Sequence, residues 1–187
     1  MVSIDLVGSL IIGGLVMLMI LGFTFWYMNT SRDIIIDESQ RGVVSNFAEI
    51  MEKEFKRMGY GMDSTAIVPK VVAVDTVQKY IEFYGDINND GYINRVKYFL
   101  RKGRKGNELV RRAVFEDRVR EFSVPVNDFS LSPKDSLGNP TSTASALRQL
   151  KVEVQFAEGF FQEVDYSTMG GSGYYSKYIV PKNLEVK

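Results

Sequence analysis

LVGSLIIGGLVMLMILGFTFWYM, residues 6–28, runs for 23 positions without a charge and closes on Phe23, Phe25, Trp26 and Tyr27. As a helix it spans about 35 Å at roughly 1.5 Å per residue, enough to cross a hydrocarbon layer of about 30 Å, and its aromatic end suits a membrane interface. A cleavable signal peptide fits poorly, because such a peptide opens on Lys or Arg and carries a shorter apolar region, whereas here Asp5 precedes the run. The stretch therefore reads as a retained anchor. A buried core helix of this length would usually carry a polar stripe, and none is present.

Working outward, the rest of the chain has the opposite character. The sequence has 187 residues with 23 basic and 23 acidic side chains, and Asp5 is the only charged residue before Ser31. A water-soluble part of about 156 residues (32–187) thus follows a nearly uncharged N-terminus. There is no Cys and no His. That excludes a disulfide framework, a thiolate nucleophile, an imidazole acid/base and the usual zinc sites. Arg32, Arg41, Lys53, Lys56 and Arg57 follow the apolar run, but Asp33, Asp37, Glu38, Glu49, Glu52 and Glu54 are interleaved with them. The positive-inside tendency gives little orientation here, since long domains translocate largely regardless of charge.

Beyond the anchor, Val44, Phe47, Met51, Phe55 and Met58 recur at spacings of three and four, with Glu49, Glu52, Lys53 and Lys56 between them. This is one helical face meeting a core. Gly59 and Gly61, with Asp63 and Ser64 behind them, supply the stop. Without a Pro in between, the two stretches read as one long helix, with Gly42 as a possible weak point. Strands are then expected at Val71–Val77, Lys79–Tyr84, Ile93–Leu100, Leu109–Phe115, Glu121–Val126, Leu150–Phe156 and Tyr174–Val180, separated by turn residues as in an antiparallel sheet. The Ser/Pro/Asn/Thr/Gly-rich stretch Asn127–Ser145 reads as an exposed loop, and Met169–Gly173 as a flexible one. The expected fold class is α+β, divided into an apolar helix half (1–30), an amphipathic helix half (31–62) and a β-sheet domain (63–187).

These residues carry a resemblance. Met1-Val-Ser-Ile-Asp5-Leu before an apolar run with Gly13-Gly14 resembles the mature N-terminus of type IV pilin-like proteins. Met51-Glu-Lys-Glu-Phe-Lys-Arg-Met-Gly-Tyr60 and Tyr178-Ile-Val-Pro-Lys-Asn-Leu184 resemble the end of the long helix and the closing strand of PilW-type minor pilins and J-class type II secretion pseudopilins. The resemblance implies a structural subunit, anchored in the cytoplasmic membrane by a single pass with its soluble domain outside. Its implied partners are other pilin-like subunits and the filament assembly machinery. It also implies that Asp5 pairs with the N-terminal amine, at Met1, of a neighbouring subunit, since burying either charge alone is costly. Family members usually carry Glu at that position, and they are made with a short basic leader that the numbered sequence does not contain. The plainer reading of Asp5 is a carboxylate at the membrane surface. Ser9 and Gly13 form a small-xxx-small pair that allows close helix contact.

Asp86-Ile-Asn88-Asn89-Asp90-Gly91-Tyr92-Ile-Asn94 places oxygens at alternate positions with a Gly where a calcium loop turns. Asp86, Asn88, Asp90, Tyr92 (by its carbonyl) and Asn94 match the early ligand positions of such a loop, so calcium is the one cofactor the sequence suggests. The twelfth position is Lys97 and the flanks read as strands, which excludes a helix-loop-helix sensor. The alternative is a hairpin turn whose Asn and Asp side chains bond their own backbone.

Arg95–Arg120 holds ten basic and three acidic residues. It reads as a solvated hairpin whose cations pair with acidic neighbours, and no nucleic-acid partner is expected, since its three aromatics, Tyr98, Phe99 and Phe115, are not spread along the run for base stacking. No residue set supports catalysis: Glu116 and Asp117 point apart on a strand, and Gly170-Gly171-Ser172-Gly173 lacks the Lys of a phosphate loop. A non-enzymatic filament subunit is the first expectation. The alternative is a bitopic envelope protein whose calcium-stabilised domain binds a partner.

Overall fold

The computed structural model describes residues 4–62, 69–104, 106–116, 118–157 and 173–184. The chain forms two compact units, Met1–Gln40 and Arg41–Lys187. Helix α1, Ile4–Lys56, contributes to both. In the first unit it includes Val7–Ile35, a stretch long and apolar enough to cross a membrane, with none of its most apolar window buried against protein.

The second unit holds the end of α1 and seven strands: β1 (Val71–Asp75), β2 (Tyr80–Gly85), β3 (Asn94–Lys102), β4 (Asn107–Phe115), β5 (Arg118–Lys134), β6 (Gln149–Phe156) and β7 (Tyr174–Ile179). They pair in chain order, every pair antiparallel, so the sheet is a meander. Each expected run holds a strand. Helix α1 ends because Gly59 and Gly61 take left-handed backbone (φ +71° and +75°), which an L side chain rarely adopts. The exit is stitched to β2: Gly59 N–H donates to the Tyr84 carbonyl at 2.8 Å, and Asp86 N–H to the Tyr60 carbonyl at 2.9 Å.

The stripe Val44, Phe47, Met51, Phe55 and Met58 is buried, as are the sheet residues it packs with, among them Ile81, Phe83, Val96, Leu109 and Val124. Each such side chain contributes about 1.5–3 kcal/mol of burial. The sheet curls. Its first strand touches a short 3-10 turn, Ala144–Ala146, in the β5–β6 connection, and Lys70 Nζ donates to the Asn183 carbonyl at 2.7 Å near the chain's end.

Most strand boundaries shift by one to three residues from the sequence reading, and two differences have a clear local cause. Strand β1 stops at Asp75, not Val77, because Asp75 Oδ1 accepts the Val77 and Gln78 N–H groups at 2.8 and 2.7 Å and bends the chain into a turn. Strand β5 runs on to Lys134 through half of the expected 127–145 loop. The register slips between Val126 and Asp128, so Val124 and Val126 face the core before the slip, and Phe129, Leu131 and Pro133 after it. A bulge flips the parity of the alternation, so Asn127-Asp128 looks like the start of a loop. The rest of the stretch is the turn expected: Asp135 Oδ1 accepts the Leu137 and Asn139 N–H groups.

Candidate functional site

Of the residues expected to serve assembly, Asp5, Ser9 and Gly13 lie on α1. Ser9 and Gly13 are exposed, and apart from the helix's own adjoining backbone no atom of the described residues lies within 4 Å of where a Gly13 side chain would begin. Met1 and the Asp5 side chain fall outside the described residues, as do Asp63, Ser64, Asp117 and 169–172.

The structure gathers the five expected calcium positions into the β2–β3 turn, but in unlike environments. Asp86 is buried, and its carboxylate accepts main-chain N–H groups from Asn89 (2.6 Å), Asp90 (3.2 Å) and Gly91 (3.0 Å). Asn94 is buried, and its Oδ1 accepts the Ile87 N–H at 3.3 Å. Asp90 is exposed and accepts from Tyr92 N–H (2.9 Å) and Asn88 Nδ2 (2.5 Å). Asn89 and Gly91 both take positive φ, which closes the turn. Calcium takes six to eight oxygens. Here both Asp86 oxygens already serve N–H groups, and among the described residues no group of three His, Cys, Asp or Glu is placed to hold a metal. This donor set fits a turn closed by its own backbone better than a calcium shell.

Four cations of the basic stretch pair with acids among the described residues. Arg95 and Lys97 pair with the buried Glu82, and Arg101 pairs with Glu108 (3.1 Å) and Glu121 (2.5 Å). Lys97 also lies over the Tyr80 ring at 4.7 Å. Arg111 reaches under the sheet to Glu54 of α1.

That last contact is a buried polar cluster, and the sequence reading did not single it out. Glu54, 4% exposed, accepts Tyr98 Oη at 2.5 Å and Arg111 Nε at 3.0 and 2.9 Å, with a further bond from the guanidinium. Burial, then the Glu54 charge, pushes the Tyr98 phenol well above its ordinary range. Burial pulls the Arg111 guanidinium down, but its bonds to Glu54 outweigh that and raise it. A sequence signal existed: Glu54 sits three residues after Met51 and next to Phe55, inside the apolar stripe. Nearby, Lys177 of β7 and Lys56 both bond Glu52, at 2.7 and 2.6 Å. Among the described residues, Tyr175 alone buries a side-chain polar atom without a hydrogen-bond partner.

Compared with protein-family models, curated proteins and solved structures, the chain matches none of them. The structure itself defines the class: an α+β protein with an apolar N-terminal helix long enough to span a membrane and an antiparallel, curled seven-stranded sheet.

Proposed function

We propose that this chain is a membrane-inserted, pilin-like subunit, a minor component of a type IV pilus or a type II secretion-related filament. One observation carries the reading: α1 begins as an apolar stretch whose most apolar window holds no buried residue and ends with a stripe buried in the core of a sheet unit. Such a helix suits transfer from a bilayer into a bundle of like helices, with the sheet unit left to make lateral contacts. In this reading Asp5 neutralises the N-terminal amine of a neighbour, and an uncompensated amine in an apolar bundle costs several kcal/mol. The chemistry is packing, with no catalytic step.

The test compares membrane abundance with abundance in sheared filaments for Asp5→Ala, Asp5→Glu and wild type. Asp5→Ala should stay folded and membrane-inserted but enter filaments poorly, and Asp5→Glu should be tolerated. Equal incorporation of Asp5→Ala and wild type would sink the assembly role.

The second reading, a bitopic envelope protein with a calcium-stabilised domain, draws on the convergence of Asp86, Asn88 and Asp90 in one turn. Calcium bound only to the native state would raise the melting temperature with its concentration. A melt unchanged between chelator and millimolar calcium removes this reading.

A further inference from the structure

The turns of a meander alternate between two ends of the sheet, and here the two ends differ in charge and shape. At one end the β3–β4 hairpin surrounds an open cavity of about 660 Å³ lined in part by Arg101, Lys102, Gly103, Arg104, Glu108 and Pro125. Arg101 is committed to Glu108 and Glu121. Gly103 lies against the Glu108 carboxylate so closely that a side chain there would collide with it. Lys102 and Arg104 are exposed and pair with no acid among the described residues. The cavity thus has a neutralised floor and two free cations at its rim.

At the opposite end, the β2–β3 turn projects Asp90, exposed, beside Tyr92 and Ile93, which are 60% and 41% exposed. The buried Asp86 holds this tip in shape through the N–H groups of residues 89–91. A preformed tip loses little conformational freedom on binding. An acid flanked by an aromatic ring is the chemical complement of two cations beside a proline, because a carboxylate pairs with both cations and a guanidinium stacks on Tyr.

The two features cannot meet within one chain. Strand β3, Asn94–Lys102, separates them, and nine residues of strand extend about 30 Å at roughly 3.3 Å each. We propose that the β2–β3 tip of one copy docks into the β3–β4 cavity of a second copy, with Asp90 between Lys102 and Arg104 and Tyr92 against Pro125. The contact is head-to-tail, and unless its rotation closes a ring it propagates. It names a partner for the lateral contacts of the filament reading and rests on that reading for its setting.

The test uses the full chain in detergent micelles, with self-association followed by sedimentation at low and high salt. The double variant Lys102→Glu/Arg104→Glu and the single variant Asp90→Lys should each weaken association at least about tenfold, since like charges then face each other. Mixing the two variants restores opposite charges at both possible contacts and should restore association. Arg112→Glu/Arg118→Glu, which reverses two exposed cations outside the cavity, should leave association near wild type. If neither reversal weakens association, if the mixture fails to recover, or if the control pair weakens it equally, the contact is overturned. Such a failure with Asp5-dependent filament entry intact removes this contact alone. A working charge swap with Asp5→Ala entering filaments normally removes the assembly role of Asp5 instead.

Discussion

Helix α1 contains two apolar stretches of opposite fate. Leu10, Leu15, Met19, Phe25 and Trp26 are all more than half exposed, whereas Phe47, Met51 and Phe55 are at most 1% exposed. Both stretches favour helix, so propensity does not separate them. What separates them is the arrangement of polar residues. In the second stretch Glu49, Glu52, Lys53 and Lys56 leave one apolar face for the sheet, while in the first no face is polar, so protein, lipid or another helix can cover every side. Hydrophobicity shows that a surface must be covered. Its pattern shows by how much protein.

The sharpest way to break this comparison is to truncate one ring in each stretch. Phe55→Ala removes a side chain packed between Phe83 and Tyr98 (ring centroids 5.7 and 4.9 Å away) and should cost about 3–5 kcal/mol in denaturant unfolding of the full chain in detergent. Phe25→Ala should leave that transition within about 0.5 kcal/mol. A charge at the middle of the first stretch does the reverse. Leu18→Lys should cost about 2.5–3.5 kcal/mol of membrane insertion, read as the glycosylation or fractionation ratio of the inserted form, with the sheet's unfolding unchanged. If Phe25→Ala destabilises the sheet as Phe55→Ala does, the two stretches share one core and the comparison fails.

A finer contrast lies between two tyrosines with buried hydroxyls. Tyr98 Oη bonds Glu54, so Tyr98→Phe leaves a buried carboxylate short of one donor and should cost about 1–3 kcal/mol. Tyr175 Oη has no partner among the described residues, and burial, then Glu52, pushes its phenol up to about 12. Tyr175→Phe should therefore be neutral or stabilising by up to about 1 kcal/mol in the same assay. Equal losses from both would mean that ring packing, not the Glu54 bond, fixes Tyr98.

The smallest expected effect concerns acid. The bond from Lys177, then that from Lys56, holds the Glu52 carboxyl below its ordinary range against the opposing effect of burial. A depressed carboxyl stabilises fully above the ordinary Glu value of about 4.3, and loses that contribution as pH falls through the lowered one. Glu52→Gln should thus flatten the acid side of the stability profile below about pH 4.3. Exposed pairs contribute little, so the difference should be a fraction of the total loss. An identical acid limb in the variant would assign the acid sensitivity to other carboxylates.

How far the sequence could be read follows from the range of the interactions involved. The helix stop at Gly59 and Gly61 depends on neighbours a few residues away, so local chemistry was enough to place it; the turn at Asp75 is equally local, yet the strand reading ran two residues past it. The seven strands came from β-branched and aromatic runs separated by turn residues, and that reading stopped short where β5 bulges at Val126/Asp128, because the slip that keeps Phe129 and Leu131 facing the core is set by pairing with β6. The calcium-like spacing in 86–94 was legible. How Asp86 uses its oxygens was not, since that depends on turn dihedrals.

The sequence by itself thus determined that one chain joins a lipid-length apolar helix to an amphipathic helix and an antiparallel sheet. Periodicity and charge spacing are written residue by residue along it. Only the tertiary structure decided that Glu54 meets Arg111 and Tyr98, separated from it by 57 and 44 positions, and that the free cations and the exposed Asp90 stand at opposite ends of one strand. Such contacts are set by strand register and by the rotation of α1 on the sheet, which depend on how all the packed side chains fit together at once.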